Sequence, residues 1–452
     1  MFKSVPKQLT LALLVIGALS GCSLMPQYVR PDAPVAASYA GQAADAAANN
    51  KTAATRSAVD IGWREFFKDA RLQALIASAL DNNRDLRAAA LRIEEARALY
   101  NIQSANSWPN LNGGVSGTRS RIPADLSAQN AATTGGRYDV GVSLASFELD
   151  FFGRVRSLND AALAQYLATE EARTSVKISL VSAVAQAYLA ERGFAEQRAL
   201  AQQSFDSRTS GYKLAQKRFE VGASSALDLR GEDSLLQTAR VALVTLSRQR
   251  AQAENALVLL VGKPLTDLPP AQLLSAQNIV AEIPAGLPSD LLVNRPDIRQ
   301  LEQQLKSANA NIGAARAAFF PRIALTASAG TASSALSGLF DAGSGAWSFA
   351  PQLVLPIFDG GRNRANLNVA EVRKNLAITG YEKAIQIAFR EVSDALVARS
   401  FLDEQIAAQA AVKDAEAERL KLSDARFRNG IASSLDVLDA QRQSFAAEQS
   451  LV

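Results

Sequence analysis

The chain has 452 residues, enough for a large core, but it contains no histidine and a single cysteine. The absence of histidine excludes Ser-His-Asp and Cys-His nucleophilic systems and zinc sites built on histidine, and one cysteine cannot form an intramolecular disulfide. The formal net charge of +4 does not favour nucleic-acid binding. Because the sequence also lacks a P-loop and a nucleotide fingerprint, we expect no enzyme activity, no bound cofactor and no metal site.

The first 21 residues have the pattern of a secretory signal peptide. Lys3 and Lys7 precede an apolar run from Leu9 to Leu19, which is too short to span a bilayer. The run leads into the sequence LSGC, which resembles a bacterial lipobox. This resemblance implies cleavage before Cys22 and covalent acylation of Cys22, with a plain signal peptide and an incidental cysteine as the alternative. Residues 22–60 are then a lipid-anchored linker, rich in Ala, Asn and Gln.

Four short segments alternate between apolar and small polar residues, which is the pattern of strands. They are Asn110–Ile122, Arg137–Leu149, Arg322–Ser334 and Ala346–Phe358. Each is long enough to cross a bilayer at a tilt, whereas no apolar run after the signal is long enough for a transmembrane helix. The alternation predicts a wall with lipid on one side and water on the other. Ordinary soluble hairpins are the alternative.

Two proline-free segments, Arg154–Arg218 and Arg362–Arg428, predict helices of unusual length. About 65 residues at about 1.5 Å each make a rod of about 100 Å. This length favours coiled-coil packing. One apolar stripe, which we assign to the core between helices, consists of Val176, Leu180, Val184 and Tyr188.

The long helices belong to two copies of one unit. The stretches RFEVGASSALDL, at 218–229, and RFRNGIASSLDVLDA, at 426–440, align at an offset of 208 residues. Each predicts a tight glycine turn between two antiparallel helices, with a serine that caps the second helix. The candidate turn residues are Gly222, Ser225, Gly430 and Ser433.

Four strands cannot close a barrel by themselves, and lipid does not tolerate open sheet edges. Eight strands give a barrel that its own side chains fill, whereas twelve strands leave a lumen. If the strands span a membrane, the smallest assembly with a passage therefore contains three chains.

Together these features resemble the outer-membrane efflux factor family of the TolC and OprM type. The lipoprotein start and the sequence YVRPDAP at 28–34 are similar to the OprM-like branch. The resemblance implies an internally duplicated, mixed α and β fold. Each chain would give four strands to a trimeric 12-stranded transmembrane β-barrel and long coiled-coil helices to a periplasmic tunnel. It also implies a lipid-anchored protein of the bacterial outer membrane whose tunnel extends into the periplasm.

On this basis we expect nine segments along the chain. They are a signal peptide (1–21), a linker (22–60), first-repeat helices (61–105), a barrel hairpin (110–149), tunnel helices (154–261), an equatorial connector (262–288), second-repeat helices (289–320), a second hairpin (322–358) and further tunnel helices (361–452). The last helix stops at Val452 and lacks the counterpart of residues 245–261 in the first copy. A truncated chain or a short natural terminus would each produce this difference.

The family resemblance implies the exit duct of a tripartite efflux pump that exports drugs or other small toxic compounds. The implied partners are two further copies in a homotrimer, a periplasmic adaptor, an inner-membrane transporter of the RND type and outer-membrane lipid. The alternatives are a duct for type I protein secretion or metal-ion efflux, and a non-channel coiled-coil lipoprotein scaffold.

The resemblance also assigns Asp436 and Asp439 to a ring of acids at the closed periplasmic mouth. A solvated helix N-terminus is the alternative, because acids are favoured there. The match is incomplete at Phe427 and Ala432, where the TolC type carries a tyrosine and an arginine. We further predict that the adaptor docks on the two glycine turns, because the ends of helix pairs offer exposed backbone and small side chains.

Overall fold

The computed structural model describes residues 23–39, 61–128, 130–277, 279 and 290–452. The predicted signal peptide, Cys22 and most of the predicted linker lie outside the described residues, so the acylation of Cys22 stays a prediction. The described residues divide into two compact units. The first unit comprises 23–34, 91–172 and 296–385, and the second comprises the remaining described residues.

Long helices dominate the secondary structure. The helices are α1 (Trp63–Phe66), α2 (Ala70–Asn82), α3 (Arg84–Ala105), α4 (Arg154–Glu220), α5 (Ala226–Val261), α6 (Asp290–Asn294), α7 (Pro296–Ala317), α8 (Arg362–Arg428) and α9 (Ser434–Leu451). Helices α4 and α8 each have 67 residues, as expected for duplicated elements. Short 3₁₀ helices lie at Ala124–Leu126, Leu274–Ala276 and Leu336–Gly338. In the described part of the chain, every helix is too short or too polar to cross a lipid bilayer.

Four strands form one antiparallel sheet in the order β1-β2-β3-β4. They are β1 (Leu111–Ile122), β2 (Thr133–Leu149), β3 (Arg322–Ser333) and β4 (Gly345–Val354). The predicted end of the fourth strand at Phe358 is wrong, because pairing stops where Val354 meets Arg322. Pro321 directly precedes Arg322 and Pro356 lies two residues after Val354, and a proline has no N–H with which to continue the ladder.

The strand register gives the sheet one apolar and one polar face, because directly paired residues point to the same side. One row across the four strands contains Gly113, Val142, Ala329 and Trp347, and the next contains Asn112, Ser143, Ser328 and Ser348. The Ser328 and Ser348 Oγ atoms lie 2.7 Å apart, on the polar face. The larger side chains of the apolar face are Leu111, Val115, Tyr138, Val140, Val142, Leu144, Phe147, Leu149, Ile323, Leu325, Trp347, Phe349 and Leu353.

A β-bulge keeps the apolar face continuous along β2. Between Leu144 and Phe147, β2 advances by one residue more than β3, and Ser146 adopts a left-handed φ of 50°. Strict alternation would place Leu144 and Phe147 on opposite faces. The extra residue returns Phe147 to the apolar face.

In the first unit, residues 23–34 lie along α7 and are fastened to a buried carboxylate. The Arg30 Nη2 donates to both oxygens of Glu302 at 3.0 Å, and the Tyr28 hydroxyl donates to Glu302 Oε1 at 3.2 Å. Only 6% of the Glu302 side chain is exposed. A side chain at Gly313 would overlap Met25, so this close approach requires glycine.

In the second unit, α2 packs on α4 and α5 to form a hydrophobic core. Its members are Leu72, Leu75, Ile76, Ala79, Leu86, Leu180, Val184, Ala185, Tyr188, Leu257 and Val261. Three of these belong to the stripe that the sequence assigned to helix packing. The Asp69 carboxylate caps α2 and also accepts the Tyr188 hydroxyl at 2.6 Å, which joins α2 to α4.

Candidate functional site: the two glycine turns

The two glycine turns have nearly the same backbone. Gly222 and Gly430 both have a φ of +71°, the left-handed region in which glycine carries no steric cost. The Ala223 N–H donates to the Arg218 carbonyl at 2.7 Å, and the Ile431 N–H donates to the Arg426 carbonyl at 2.9 Å. Each glycine N–H also bonds the carbonyl three residues earlier. These bonds form the Schellman motif, which ends α4 and α8.

A reciprocal capping box starts the helix after each turn. In the second copy, the Asp436 N–H donates to Ser433 Oγ at 3.3 Å, and the Ser433 N–H donates to the Asp436 carboxylate at 2.9 Å. Ser225 and Asp228 make the same pair of bonds in the first copy. The capping predicted from Ser225 and Ser433 is therefore present in the structure.

Both turns expose apolar side chains beside the glycine. The most exposed ones are Val221 and Leu227 at the first turn and Ile431 and Leu435 at the second. A Cβ atom placed on Gly222 or Gly430 would have no heavy atom of the described chain within 4 Å, apart from its own chain neighbours. Each turn is thus a small apolar tip with accessible backbone.

The Asp436 carboxylate belongs to the helix cap. It accepts from the backbone N–H and the hydroxyl of Ser433, both at 2.9 Å. These hydrogen bonds hold the pKa of Asp436 below its usual range, so the group stays ionised at moderately acidic pH. Asp228 is bound in the same way in the first copy. The structure therefore shows the capping role of Asp436, whereas its role at the mouth stays a prediction.

Asp439 lies one helical turn further on and is bound by two arginines. Arg419 of α8 contacts one carboxylate oxygen at 2.5 Å, and Arg442 of α9 contacts the other at 2.7 Å. These guanidinium groups hold the pKa of Asp439 below its usual range. Arg419 also contacts Glu416 at 3.1 Å. Asp439 thus ties α8 to α9 near the second turn, and its charge is balanced locally.

The first copy has no equivalent of this ion pair. At the offset of 208 residues, Arg419 corresponds to Gly211 and Asp439 corresponds to Gly231. The sequence analysis did not identify Arg419 as the partner of Asp439. The same offset could have found it, since both members of the pair become glycine together.

A cleft of about 940 Å³ lies between the helices that flank the two turns. It is lined by residues of α4 and α5 on one side and by Asp424, Phe427, Leu435 and Leu438 on the other. Arg208 lines it with only 9% of its surface exposed, and burial lowers the pKa of this arginine. The walls are otherwise mostly apolar or small. Across the described ranges, His, Cys, Asp and Glu form no group of three that could hold a metal ion.

Comparison with known proteins decides the family. A family model for outer membrane efflux proteins matches residues 75–263 and 287–452. The chain belongs to the outer membrane efflux protein family. The two matched ranges correspond to the two copies of the duplicated unit, and the family predicted from the sequence is confirmed.

Individual members of the family are similar over nearly their whole length. Outer membrane protein OprJ of Pseudomonas aeruginosa is 48% identical over 98% of this chain and 91% of its own. The solvent efflux pump outer membrane protein SrpC of Pseudomonas putida is 46% identical over 100% of this chain and 94% of its own. The open-state MtrE outer membrane channel of Neisseria gonorrhoeae has a TM-score of 0.84 at 40% identity, covering 95% of this chain and 94% of its own.

The chain is thus an efflux channel subunit of the bacterial outer membrane, with the mixed α and β fold of these channels. Because the members of this family are channels, the alternative of a non-channel coiled-coil lipoprotein scaffold is wrong. The roles of Cys22, Asp436, Asp439 and the turn residues stay predictions.

Proposed function

We propose that three copies of this chain form one outer-membrane duct, which exports drugs or other small toxic compounds as part of a tripartite pump. The observation that carries the proposal is the two-faced sheet. Its apolar face suits lipid and its polar face suits a water-filled passage. Strands β1 and β4 are the two edges of the sheet. In lipid, those edges require partners, and pairing β4 of one copy with β1 of the next closes a 12-stranded barrel around a lumen.

The long helices then continue the passage into the periplasm. Helices of 67 residues extend about 100 Å, which is far more than a compact domain needs. The relative SrpC is a solvent efflux pump protein, and TtgI of Pseudomonas putida is a toluene efflux pump protein, at 46% identity each. These names favour small apolar compounds among the exported cargo. The inner-membrane partner we propose is an RND-type transporter.

The periplasmic adaptor docks on the glycine turns in this proposal. Leu227 and Leu435 are more than 70% exposed, and clusters of solvent-exposed apolar side chains are typical of contact surfaces. Photo-crosslinkers placed at Leu227 and Leu435 should capture the adaptor in cells. Crosslinks that form equally well from exposed Leu376, in the first quarter of α8, would contradict tip docking.

The mouth of the duct lies at the second turn, where three copies of Asp436 and Asp439 form the acidic ring. Because Arg419 and Arg442 contact Asp439, whereas Arg426 acts on Asp436 without a direct contact, Asp436 contributes more of the ring's uncompensated charge. Such a ring favours cations in transit.

The lipid anchor in this proposal is the acylated Cys22. Palmitate labelling that persists in the variant Cys22→Ala would contradict this assignment.

A resistance assay tests the proposed function. Expression of the chain in bacteria that lack their own efflux channel, together with the matching adaptor and transporter, should raise resistance to apolar drugs at least several-fold. Val142→Asp places a charge at the centre of the apolar face and should abolish this gain, since a charge facing lipid is costly there. Ser143→Asp, on the polar face at the adjacent position, should retain it. Equal resistance from both variants would contradict the membrane orientation of the sheet.

A further inference from the structure

Two arginines, Arg119 and Arg121, lie at the end of the apolar face that is next to the loop between β1 and β2. Tyr138 pairs with Gly117, and the next same-face pairs are Arg119 with Gly136 and Arg121 with Thr134. Residues two apart on a strand point to the same side. Arg119 and Arg121 therefore share the face of Val115 and Val140, although that face is otherwise apolar.

The apolar face between Leu149 and Tyr138 is long enough to cross the hydrocarbon core of a membrane. From Leu149 to Tyr138, β2 covers about 37 Å of strand at about 3.4 Å per residue. Tilted by about 40°, as in membrane barrels, this run spans about 28 Å, close to the ~25 Å apolar band of such proteins. Tyr138 then lies at the edge of the band, where tyrosine is favoured. Arg119 and Arg121 lie just beyond it, at the depth of the lipid headgroups.

The pairing of the nearby arginines differs between the two faces. Arg137, next to Tyr138 on the polar face, contacts Asp139 at 2.8 Å. Arg119 and Arg121 are exposed, and among the described residues neither forms an ion pair with a carboxylate. The arginine on the polar face thus brings its own counter-charge, whereas the two on the apolar face carry an uncompensated charge of +2.

We propose that Arg119 and Arg121 bind the phosphate groups of a phosphorylated lipid in the outer leaflet. This rests on the proposed function, in which the sheet crosses the outer membrane. A guanidinium group matches phosphate through two parallel hydrogen bonds. The two arginines are about 7 Å apart along the strand, so they can bind two phosphates of one headgroup. The acyl chains of the same lipid then lie over Val115 and Val140.

The test compares two double variants of the full-length protein in non-ionic detergent. Arg119→Gln with Arg121→Gln removes the proposed site. Arg137→Gln with Asp139→Asn is the control, since it removes two charged side chains from the opposite face, within a few residues of Arg119 along the strands. Native mass spectrometry measures the affinity for diphosphoryl lipid A, for the same lipid after dephosphorylation, and for inorganic phosphate. Conductance in planar bilayers is recorded for each variant.

We expect the parent and the control variant to bind the diphosphoryl lipid about thirtyfold more tightly than the dephosphorylated lipid. Two arginines near an anionic surface contribute about this factor. The Arg119/Arg121 variant should lose the preference while its conductance stays normal, and millimolar inorganic phosphate should not displace the lipid.

Three outcomes overturn the lipid site in a protein that conducts normally. They are a preference that survives in the Arg119/Arg121 variant, an equal loss in the control variant, and displacement of the lipid by inorganic phosphate. A parent protein that forms no conducting pore would instead contradict the proposed function itself.

Discussion

Glu302 shows how single residues fix the N-terminal segment to the body of the protein. Its buried carboxylate lies 272 positions from Arg30 and 274 from Tyr28, and Lys306 approaches it at 3.4 Å. Burial and the nearby carboxylate raise the pKa of Tyr28, so its hydroxyl stays protonated and donates. Two residues of the sequence YVRPDAP, Tyr28 and Arg30, thus attach the N-terminal segment to α7. Because the predicted lipid anchor lies just before this segment, these contacts link that anchor to the fold.

Removal of Arg30 should weaken the first unit. Arg30→Ala leaves a buried carboxylate with less compensation, and we expect a loss of about 2 kcal/mol in the free energy of unfolding. Adding Glu302→Gln should restore part of that loss, since it removes the buried charge. Denaturant unfolding measures both changes, and a double variant that is less stable than the single one would contradict this expectation.

The two acids after the second turn differ in their charge balance, which makes their roles separable. Asp436 is bound only by neutral donors of Ser433, whereas two arginines bind Asp439. Asp228 provides a matched control because it forms the same capping box in the first copy. A change caused by loss of the cap alone should therefore be the same for Asp228 and Asp436.

Replacement of Asp436 should change ion selectivity more than replacement of Asp439. We expect Asp436→Asn to reduce the cation preference of the pore, Asp439→Asn to reduce it less, and Asp228→Asn to leave it unchanged. Reversal potentials in planar bilayers measure the preference. Because the pKa of Asp436 is lowered, the preference should persist as the pH falls through the ordinary aspartate range near 4. Parent-like selectivity in Asp436→Asn would place this acid away from the mouth.

At the scale of elements, the two helix pairs are copies that differ in one interhelical ion pair. The pair α8–α9 is joined near its turn by Arg419 and Asp439, whereas α4–α5 has glycines at both positions. An exposed ion pair of this kind contributes little to stability and is screened by salt. It can therefore bias the spacing of α8 and α9 at the proposed mouth without making that spacing rigid.

Loss of Arg419 should open the second helix pair. We expect Arg419→Ala to raise the conductance at low salt, because α8 and α9 are no longer joined at that level. The difference from the parent should shrink in 1 M salt. Arg428→Ala is the control, since its contact with Asp424 lies within α8 and does not join two helices. Equal effects of the two variants in planar bilayers would contradict a role for the interhelical pair.

At the scale of the whole molecule, the features that the sequence predicted are those set by periodicity and by duplication. Alternation located the four strands, and the offset of 208 residues located both turns. The alternation did not predict the early end of β4 or the bulge at Ser146, because both depend on how a neighbouring strand pairs. The contacts of Arg30 with Glu302 and of Arg419 with Asp439 join positions that are not neighbours in the sequence, so periodicity does not reveal them.

In the proposed assembly, neighbouring copies close the two edges of the four-stranded sheet into a 12-stranded duct. Native mass spectrometry of the detergent-solubilised particle that conducts in planar bilayers tests this assembly. We expect a mass of three chains in the conducting particle. A conducting particle of one or two chains would contradict it, because four strands cannot close and eight leave no lumen.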